Sequence, residues 1–475
     1  FTAFKLSARN LISKKGRTIL VGVAGSIGII GVAMVLAFSA GIKGYVKSMQ
    51  DDMLSGNPIT ITETSYDLNA INNLMSKEQK KEIVKQPNYA YVNGMVEYLA
   101  KTNDAAKAFF VKNEITQDYI DYVKDMPKDY YAAMKFGYGL DLNNNIYTDM
   151  KKTASGDSEN ISISALTSSY IKLLEQTRFK DNAKYVTALI PSFEQAPNSV
   201  DYIESQYDVT GKIATEKNEI MLVLDKNDEL YDVLLARLGI YPQENFLNLI
   251  YKVDESHKEF YDESKEINSF SFDELLSKTF TYYSNNQVYT KTNNPIKPFT
   301  YNFLGKNVEG EGLELKVVGI LQPKKDISYG CLTSGVYYTE ALTDYVLETE
   351  KESEILSYVS ALDENDSATN DPETGLPRLS DQSVIIGMYS GNLITYDYVY
   401  TYGNDVDVPY TGGVSFVAAS GLTMSFGSGG NGIDYGDIKK NIIRAVGGNS
   451  LSNSVTIYPL SFDSKDLVTN YLDKW

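Results

Sequence analysis

The chain has 475 residues, 43% of them apolar, and its 62 acidic side chains outnumber its 44 basic ones. One cysteine and one histidine exclude an internal disulfide and a zinc site, which needs several soft ligands. The net charge of −18 argues against a nucleic-acid partner, because nucleic-acid-binding surfaces depend on clustered lysine and arginine. The length is enough for roughly two or three domains.

The basic residues are concentrated at the N-terminus. The first 48 residues carry no acidic residue and seven cations, namely Lys5, Arg9, Lys14, Lys15, Arg17, Lys43 and Lys47. Within residues 1–17, one face of a helix would hold the apolar side chains Phe1, Phe4, Ala8, Leu11 and Ile12. This pattern predicts an amphipathic helix on the cytoplasmic surface of a membrane. A basic flank that only anchors the next segment is the alternative.

Residues 18–42 contain no charged side chain. As a helix these 25 residues would measure about 37 Å, enough to cross a hydrocarbon layer of about 30 Å. We therefore predict a transmembrane helix. A signal peptide is the alternative, because Ala37, Ser39 and Ala40 could imitate a cleavage site. The basic residues before the span place the N-terminus in the cytoplasm and residues 43–475 mostly outside it.

Glycine recurs every third residue within the predicted span, at Gly22, Gly25, Gly28 and Gly31. Small residues let helix backbones approach closely, so these glycines predict packing against other membrane helices. Glycine is also generally common in membrane helices, which is the simpler explanation of the same pattern.

The segments after the span predict a stalk and a small α+β unit. Residues 43–58 favour a stalk helix that stops at Gly56, Asn57 and Pro58. The segments that follow, and those at the far end, predict strands at 59–64, 90–102 and 454–460 and helices at 76–86 and 461–475. The two ends of the chain, 59–102 and 454–475, could thus close into one split α+β unit with its middle inserted.

The middle of the chain divides by composition into three regions. Residues 103–185 favour helices, and residues 186–347 alternate between strand and helix patterns, as in LELKVVGILQP and ELYDVLLARLGI. Residues 348–453 are first acidic and then rich in Gly and Ser, which predicts loops or a short β insert. The predicted fold class is α+β.

The sequence does not predict an enzyme. It contains no Walker-type phosphate loop, and Gly427, Gly429 and Gly432 lie in a Gly/Ser run without the strand that a dinucleotide-binding motif requires. His257 lies in a charged segment, and Cys331 is expected to be a buried small apolar residue.

Two acidic patterns resemble calcium loops only in part. The segment starting at Asp141 has isoleucine and lysine where an EF-hand needs glycine and glutamate, and the residues around Asp366 predict a solvated acidic loop. The 37 tyrosines could line a ligand groove, but core and rim positions in an extracellular domain are the more common explanation. We therefore predict no cofactor or metal in this chain.

The opening FKLSARNLISKKGRTILVGVAGSIGIIGVAMVLAFSAGI resembles the first transmembrane helix of a MacB/FtsX-type ABC transporter permease, in the form common in Gram-positive-type bacteria. The elements RNL, KKGRT and AGSIGIIG carry the resemblance. Further similar segments are SQYDVTGK with NEIMLVLD at 205–225, LELKVVGILQPKK at 313–325, GVYYTEALT at 335–343 and VTIYPLSFDSKDLVTNYLDKW at 455–475. Residues 103–185 and 348–453 match weakly.

The resemblance implies a four-helix permease in the plasma membrane of a bacterium. One large extracellular domain would follow the first helix, with a split porter-like subdomain (59–102 and 454–475) and an inserted Sabre-like subdomain (186–347). The chain would continue past Trp475 into a second span. The implied partners are the bilayer, a second permease copy in a homo- or heterodimer, and a cytoplasmic ABC ATPase subunit or fused domain that binds ATP and Mg²⁺.

The function implied is coupling of ATP hydrolysis to export or mechanotransmission, with peptides, antibiotics, lipids or lipoproteins as substrates. Phe4, Lys5 and Arg9 on the cytoplasmic helix are the expected contacts to the ATPase. An extracellular peptide or protein ligand is a further expected partner. The alternative function is a single-span surface receptor or adhesin, whose anchor would be passive.

Overall fold

The computed structural model describes residues 2–66, 110–177, 180, 193–325, 327, 330–402, 406–416 and 433–475. The helices are α1 (Thr2–Ser13), α2 (Lys15–Ser55), α3 (Gln117–Lys124), α4 (Ile163–Glu175), α5 (Val200–Gln206), α6 (Asp232–Arg237), α7 (Gln243–Val253), α8 (Phe272–Leu276), α9 (Asn285–Val288), α10 (Glu340–Glu350), α11 (Glu354–Ala361), α12 (Asp381–Ser390), α13 (Tyr435–Ala445) and α14 (Phe462–Leu472). Short 3-10 turns lie at Lys258–Phe260, Glu263–Lys265 and Gly305–Asn307.

The strands are β1 (Ile59–Thr62), β2 (Thr64–Tyr66), β3 (Phe110–Lys112), β4 (Tyr131–Gly137), β5 (Ile146–Lys151), β6 (Ser158–Ser162), β7 (Phe193–Gln195), β8 (Tyr207–Gly211), β9 (Glu219–Val223), β10 (Thr279–Tyr282), β11 (Tyr289–Lys291), β12 (Phe299–Tyr301), β13 (Leu313–Pro323), β14 (Gly335–Tyr338), β15 (Thr395–Tyr402), β16 (Val406–Gly413) and β17 (Ser454–Pro459). The prediction of a fold that mixes helices and sheets is confirmed.

Residues 2–55 form two helices that meet at Lys14. Helix α2 has 41 residues and runs without a break through the predicted span and the predicted stalk. It ends at Ser55, with Gly56 as its C-cap residue. The side-chain amide of Asn57 then donates to the carbonyl of Met53 at 3.0 Å, which satisfies one of the carbonyls left without a partner at a helix end. Pro58 cannot continue the helix, so the chain leaves it directly into β1.

The segment after α2 and the C-terminal part of the chain meet in a three-stranded sheet in the order β1–β17–β4. Ile59–Thr62 pairs antiparallel with Ser454–Ile457, and β17 pairs antiparallel with β4 on its other side. Helices α3 and α14 cover one face, where Val123, Val455 and Ile457 form a small core with residues around them. The predicted strand 454–460 and helix 461–475 are confirmed. The predicted helix 76–86 and strand 90–102 lie outside the described residues.

The prediction that residues 103–185 are helical is confirmed for α3 and α4 and is wrong for the other elements described in this region. Besides α3 and α4 this region contains strands β3 to β6. β4 completes the small sheet, and β5 and β6 belong to the large one. The strand sequences YAAMKFG and IYTDMK contain helix-forming Ala, Lys and Met, and pairing with the distant strands β17 and β10 overrides that local preference.

The large sheet has eight strands in the order β6–β5–β10–β13–β9–β14–β7, with β8 also paired to β13. β9 is buried along its whole length, and the apolar run IMLV that follows Glu219 is typical of a central strand. β13 pairs in parallel with β9 and antiparallel with β10 and β8. Gly211 and Gly319 face each other where β8 and β13 pair, and a Cβ at either would lie within 2.3 Å of a carbonyl oxygen of the other segment.

Residues 348–453 contribute helices as well as the predicted β insert. Helices α11, α12 and α13 lie in this region, and β15 pairs antiparallel with β16 in a two-stranded ribbon. The expectation of mainly irregular structure is wrong for these helices, whose buried positions join the large core. Most of the Gly/Ser-rich run, including Gly427, Gly429 and Gly432, lies outside the described residues.

Candidate functional site

The three residues expected to contact an ATPase lie on α1. Phe4 is 80% exposed, and Lys5 and Arg9 are exposed as well. Lys5 and Arg9 are four residues apart and therefore lie on the same side of the helix. The structure thus places the two cations on one exposed side of α1, and Phe4 lies on the neighbouring, apolar side of the same helix.

Of the four glycines in the predicted span, Gly25 has described surroundings. A Cβ built there would have no neighbour within 4 Å, so the space beside it is open. Gly22, Gly28 and Gly31 lie on the same helix, but their surroundings fall outside the described part, as do the side chains at 18, 19, 21, 24 and 27. The structure leaves the helix-packing prediction open.

The first half of α2 carries large apolar side chains that are exposed by 47% to 73%. They are Leu20, Val23, Ile29, Ile30, Val32, Met34, Val35, Leu36, Phe38 and Ile42. In the part of the chain that the structure describes, no helix combines the length and the apolar character needed to cross a membrane. The predicted span 18–42 therefore stays a prediction.

The far end of α2 is attached to the small sheet. Leu54 in its last turn is buried, and α14 lies beside α2. Helix α14 is in turn held to α3 by two tyrosines, Tyr122 and Tyr471, whose rings stack at 4.6 Å. Each of these hydroxyl groups donates to the backbone carbonyl of the other tyrosine, at 2.6 and 3.0 Å. Trp475 packs on Tyr122 at 5.1 Å and closes this aromatic cluster.

A partly buried ion pair joins the small sheet to the large core. Glu63 lies between β1 and β2, and both of its carboxylate oxygens accept hydrogen bonds from the guanidinium of Arg444 on α13, at 2.6 and 2.5 Å. Lys440 approaches the same carboxylate at 3.1 Å. We call these three residues the clasp. Burial would raise the pKa of the Glu63 carboxyl, but the hydrogen bonds and charges of Arg444 and then of Lys440 outweigh it and lower the pKa.

The clasp was not predicted from the sequence, because its partners are 381 residues apart. One local signal was available. Helix α13 buries Ile438, Ile442 and Ala445, and Arg444 falls on the same buried side. A charged residue on the apolar side of an amphipathic helix indicates a buried partner, since an unpaired buried charge is strongly unfavourable.

The residues considered for catalysis have structural partners instead. The Nδ1 of His257 contacts a carboxylate oxygen of the buried Asp254 at 2.7 Å, just after α7. Burial raises the pKa of the Cys331 thiol to about 12, so this thiol is a poor nucleophile at neutral pH. Among the described residues, no group of three or more His, Cys, Asp or Glu side chains could hold a metal ion.

The two acidic loops are likewise organised by the chain itself. Asp141 accepts hydrogen bonds from the backbone and the side-chain amide of Asn143, at 3.0 and 2.7 Å, as a polar turn would. Asp366 forms a bidentate pair with Arg378 at 2.7 and 2.8 Å. Many tyrosines are core residues, as expected, and those buried in the large core include Tyr147, Tyr170, Tyr282, Tyr289, Tyr301, Tyr338, Tyr396 and Tyr398.

In comparisons with known proteins, no family model, no curated protein and no solved structure matches the chain.

Proposed function

We propose that the chain is the permease subunit of a MacB/FtsX-type ABC transporter, which couples ATP hydrolysis in the cytoplasm to movement of its extracellular domain. The observation that supports this function best is the continuity of α2. One helix leads from the exposed apolar side chains of residues 20–42 to the sheet in which both ends of the extracellular part meet. ATP and Mg²⁺ would bind to a partner subunit or a fused domain.

The apolar half of α2 needs a non-aqueous surrounding. So many large exposed apolar side chains on one helix are unfavourable in water and mark a membrane or protein contact. A helix of 41 residues measures about 60 Å, which is longer than a hydrocarbon layer of about 30 Å is thick. All backbone groups within such a helix are paired internally, as a lipid environment requires.

The other half of α2 is suited to transmit movement. An unbroken helix is stiff, because a sharp kink needs a proline, an inserted group or a bulge. Residues 43–55 continue the span and end against the small sheet, where Leu54 is buried and α14 lies alongside. A tilt or shift of the span would therefore reach β1 and β17 directly. A passive anchor, as in a receptor or adhesin, has no need of such a rigid connection.

Membrane topology tests this proposal with single cysteines. In a Cys331→Ala background, Ser7→Cys on α1 and Ser256→Cys after α7 each provide one exposed thiol on opposite sides of the proposed span. We expect a membrane-impermeant maleimide to label Ser256→Cys in intact cells and to label Ser7→Cys only after the membrane is opened. The parent Cys331→Ala protein is the control for background labelling.

Labelling of Ser7→Cys in intact cells, or release of the full-length protein from membranes by alkaline carbonate, would contradict the proposed topology. The same topology would hold for a receptor or adhesin. That alternative is separated from the permease by the ATPase measurement that ends the Discussion.

A further inference from the structure

The acidic half of the clasp is rigidly placed just after α2. Glu63 follows the end of α2 by eight residues. Its backbone amide donates to the carbonyl of Asn453 at 3.1 Å, and its carbonyl accepts from the amide of Asn113 at 2.8 Å. Because both backbone groups are held, the carboxylate follows any movement of β1.

The basic half of the clasp belongs to the large core. The side chain of Arg444 is only 3% exposed, and α13 around it packs Ile438 and Ile442 into that core. A bidentate pair between a guanidinium and a carboxylate fixes their mutual angle as well as their distance. The contact therefore resists rotation of the small sheet against α13.

The end of α13 is itself anchored to other parts of the large core. The side-chain amide of Asn285, at the start of α9, donates to the carbonyl of Val446 at 2.8 Å. The amide of Asp141 donates to the carbonyl of Ala445 at 3.2 Å. A displacement of Arg444 would thus be passed on to α9 and to the segment that leads into β5.

A second attachment lies at the opposite edge of the small sheet. The side chain of Asn198 accepts from the amide of Met134 on β4, and the amide of Asn198 donates to the carbonyl of Met134, both at 3.0 Å. Asn198 precedes α5 and follows β7, a strand of the large sheet. The clasp is on the β1 side, next to α2, and this second contact is on the β4 side.

We propose that the clasp is the contact through which a displacement of α2 is transmitted to the large core, with Arg444 as its positioning residue. This inference rests on the proposed function, since it assigns how the movement of the helix is used. Removing the clasp leaves the attachment at β4 in place. The large core would then remain joined to the small sheet but would no longer keep a fixed orientation relative to α2.

The orientation can be measured as the distance between two spin labels in the full-length protein in lipid nanodiscs. The labels are carried by the substitutions Gly44→Cys on α2 and Ser256→Cys after α7, in a Cys331→Ala background. A Cβ at Gly44 meets no neighbour within 4 Å, and Ser256 is exposed. We expect one narrow distance distribution for the protein with an intact clasp and loss of that narrow distance in the double variant Glu63→Gln/Arg444→Gln.

Two control variants separate the clasp from a general effect of removing an ion pair. Arg378→Gln breaks a bidentate pair of the same kind, with Asp366, but within a single loop. Lys440→Gln removes the third, half-exposed member of the clasp and leaves the bidentate contact. We expect both controls to keep the narrow distance. Arg444→Lys, which keeps the charge but not the planar fork, should recover the narrow distance in part.

The double variant Glu63→Gln/Arg444→Gln removes both charges together and leaves no unpaired buried charge. It is therefore the decisive variant for the inference about the clasp. A narrow and unchanged distance in the folded double variant would overturn the inference, and so would loss of its native circular dichroism, because the clasp would then be a folding contact. The distance measurement requires neither an ATPase nor transport. The inference about the clasp can therefore be confirmed or contradicted independently of the proposed function.

Discussion

Glu350 shows how a single buried carboxyl makes the large core sensitive to pH. It is 1% exposed and accepts a hydrogen bond from the Tyr282 hydroxyl at 2.5 Å and from the amide of Asn285 at 3.1 Å. Burial raises the pKa of this carboxyl to about 7, because the two hydrogen bonds offset only part of the lost solvation. The folded protein therefore holds a proton there that the unfolded chain releases at lower pH.

The sign of the resulting pH dependence follows from proton binding. Between the ordinary pKa of 4.5 and about 7 the folded state binds more protons than the unfolded state, so stability falls as pH rises through this window. We expect Glu350→Gln to remove this contribution, which amounts to about 3 kcal/mol above pH 7. The check is thermal unfolding at pH 5 and pH 8, where the variant should lose less stability than the parent between the two pH values. An equal loss in both proteins would rule out Glu350 as the source.

Helix α14 is attached to α3 by hydrogen bonds and by ring stacking, and the two contributions can be measured separately. Tyr122 and Tyr471 exchange two hydrogen bonds through their hydroxyl groups, and their rings stack independently of them. Replacing either tyrosine by phenylalanine removes one hydrogen bond and keeps the stacked rings. The loss of stability should therefore be smaller for phenylalanine than for alanine at these positions, since a typical hydrogen bond contributes about 1 kcal/mol.

We expect Tyr122→Phe and Tyr471→Phe each to lower the free energy of unfolding by about 1 kcal/mol and the alanine variants to lower it by more. Urea unfolding of the full-length protein in mild detergent provides the measurement. Tyr231→Phe, at a position 58% exposed, is the matched control and should be neutral. If the phenylalanine variants are as stable as the parent, the two hydroxyl groups contribute nothing to the attachment.

For the whole molecule, the parts predicted best from the sequence are those with a strong local pattern. LELKVVGILQP alternates apolar and polar residues at its start, and the strand has the bounds Leu313–Pro323. The uninterrupted helix pattern at the N-terminus and the stop at Gly56 are also found in α2. In β13 the alternation of buried positions agrees with the intrinsic strand preference of the residues.

The parts that were missed depend on contacts between distant segments. β4 and β5 lie in the region 103–185, which favours helices by sequence; their short sequences contain helix formers, while their partners β17 and β10 lie far along the chain. The clasp is missing from the prediction for the same reason, since nothing near Glu63 indicates Arg444. Local propensity cannot report a pairing that is decided by tertiary contacts.

The most direct test of the permease function is ATP hydrolysis by the full-length protein purified from its native host in mild detergent. We expect an ABC ATPase to be retained, as a subunit or a fused domain. Its activity should fall when Arg9→Ala or Phe4→Ala is introduced and stay unchanged in Ser7→Ala, an exposed control on the same helix. The permease function would be contradicted if ATPase activity did not exceed that of an unrelated membrane protein. It would also be contradicted if the activity were unchanged by Arg9→Ala and Phe4→Ala.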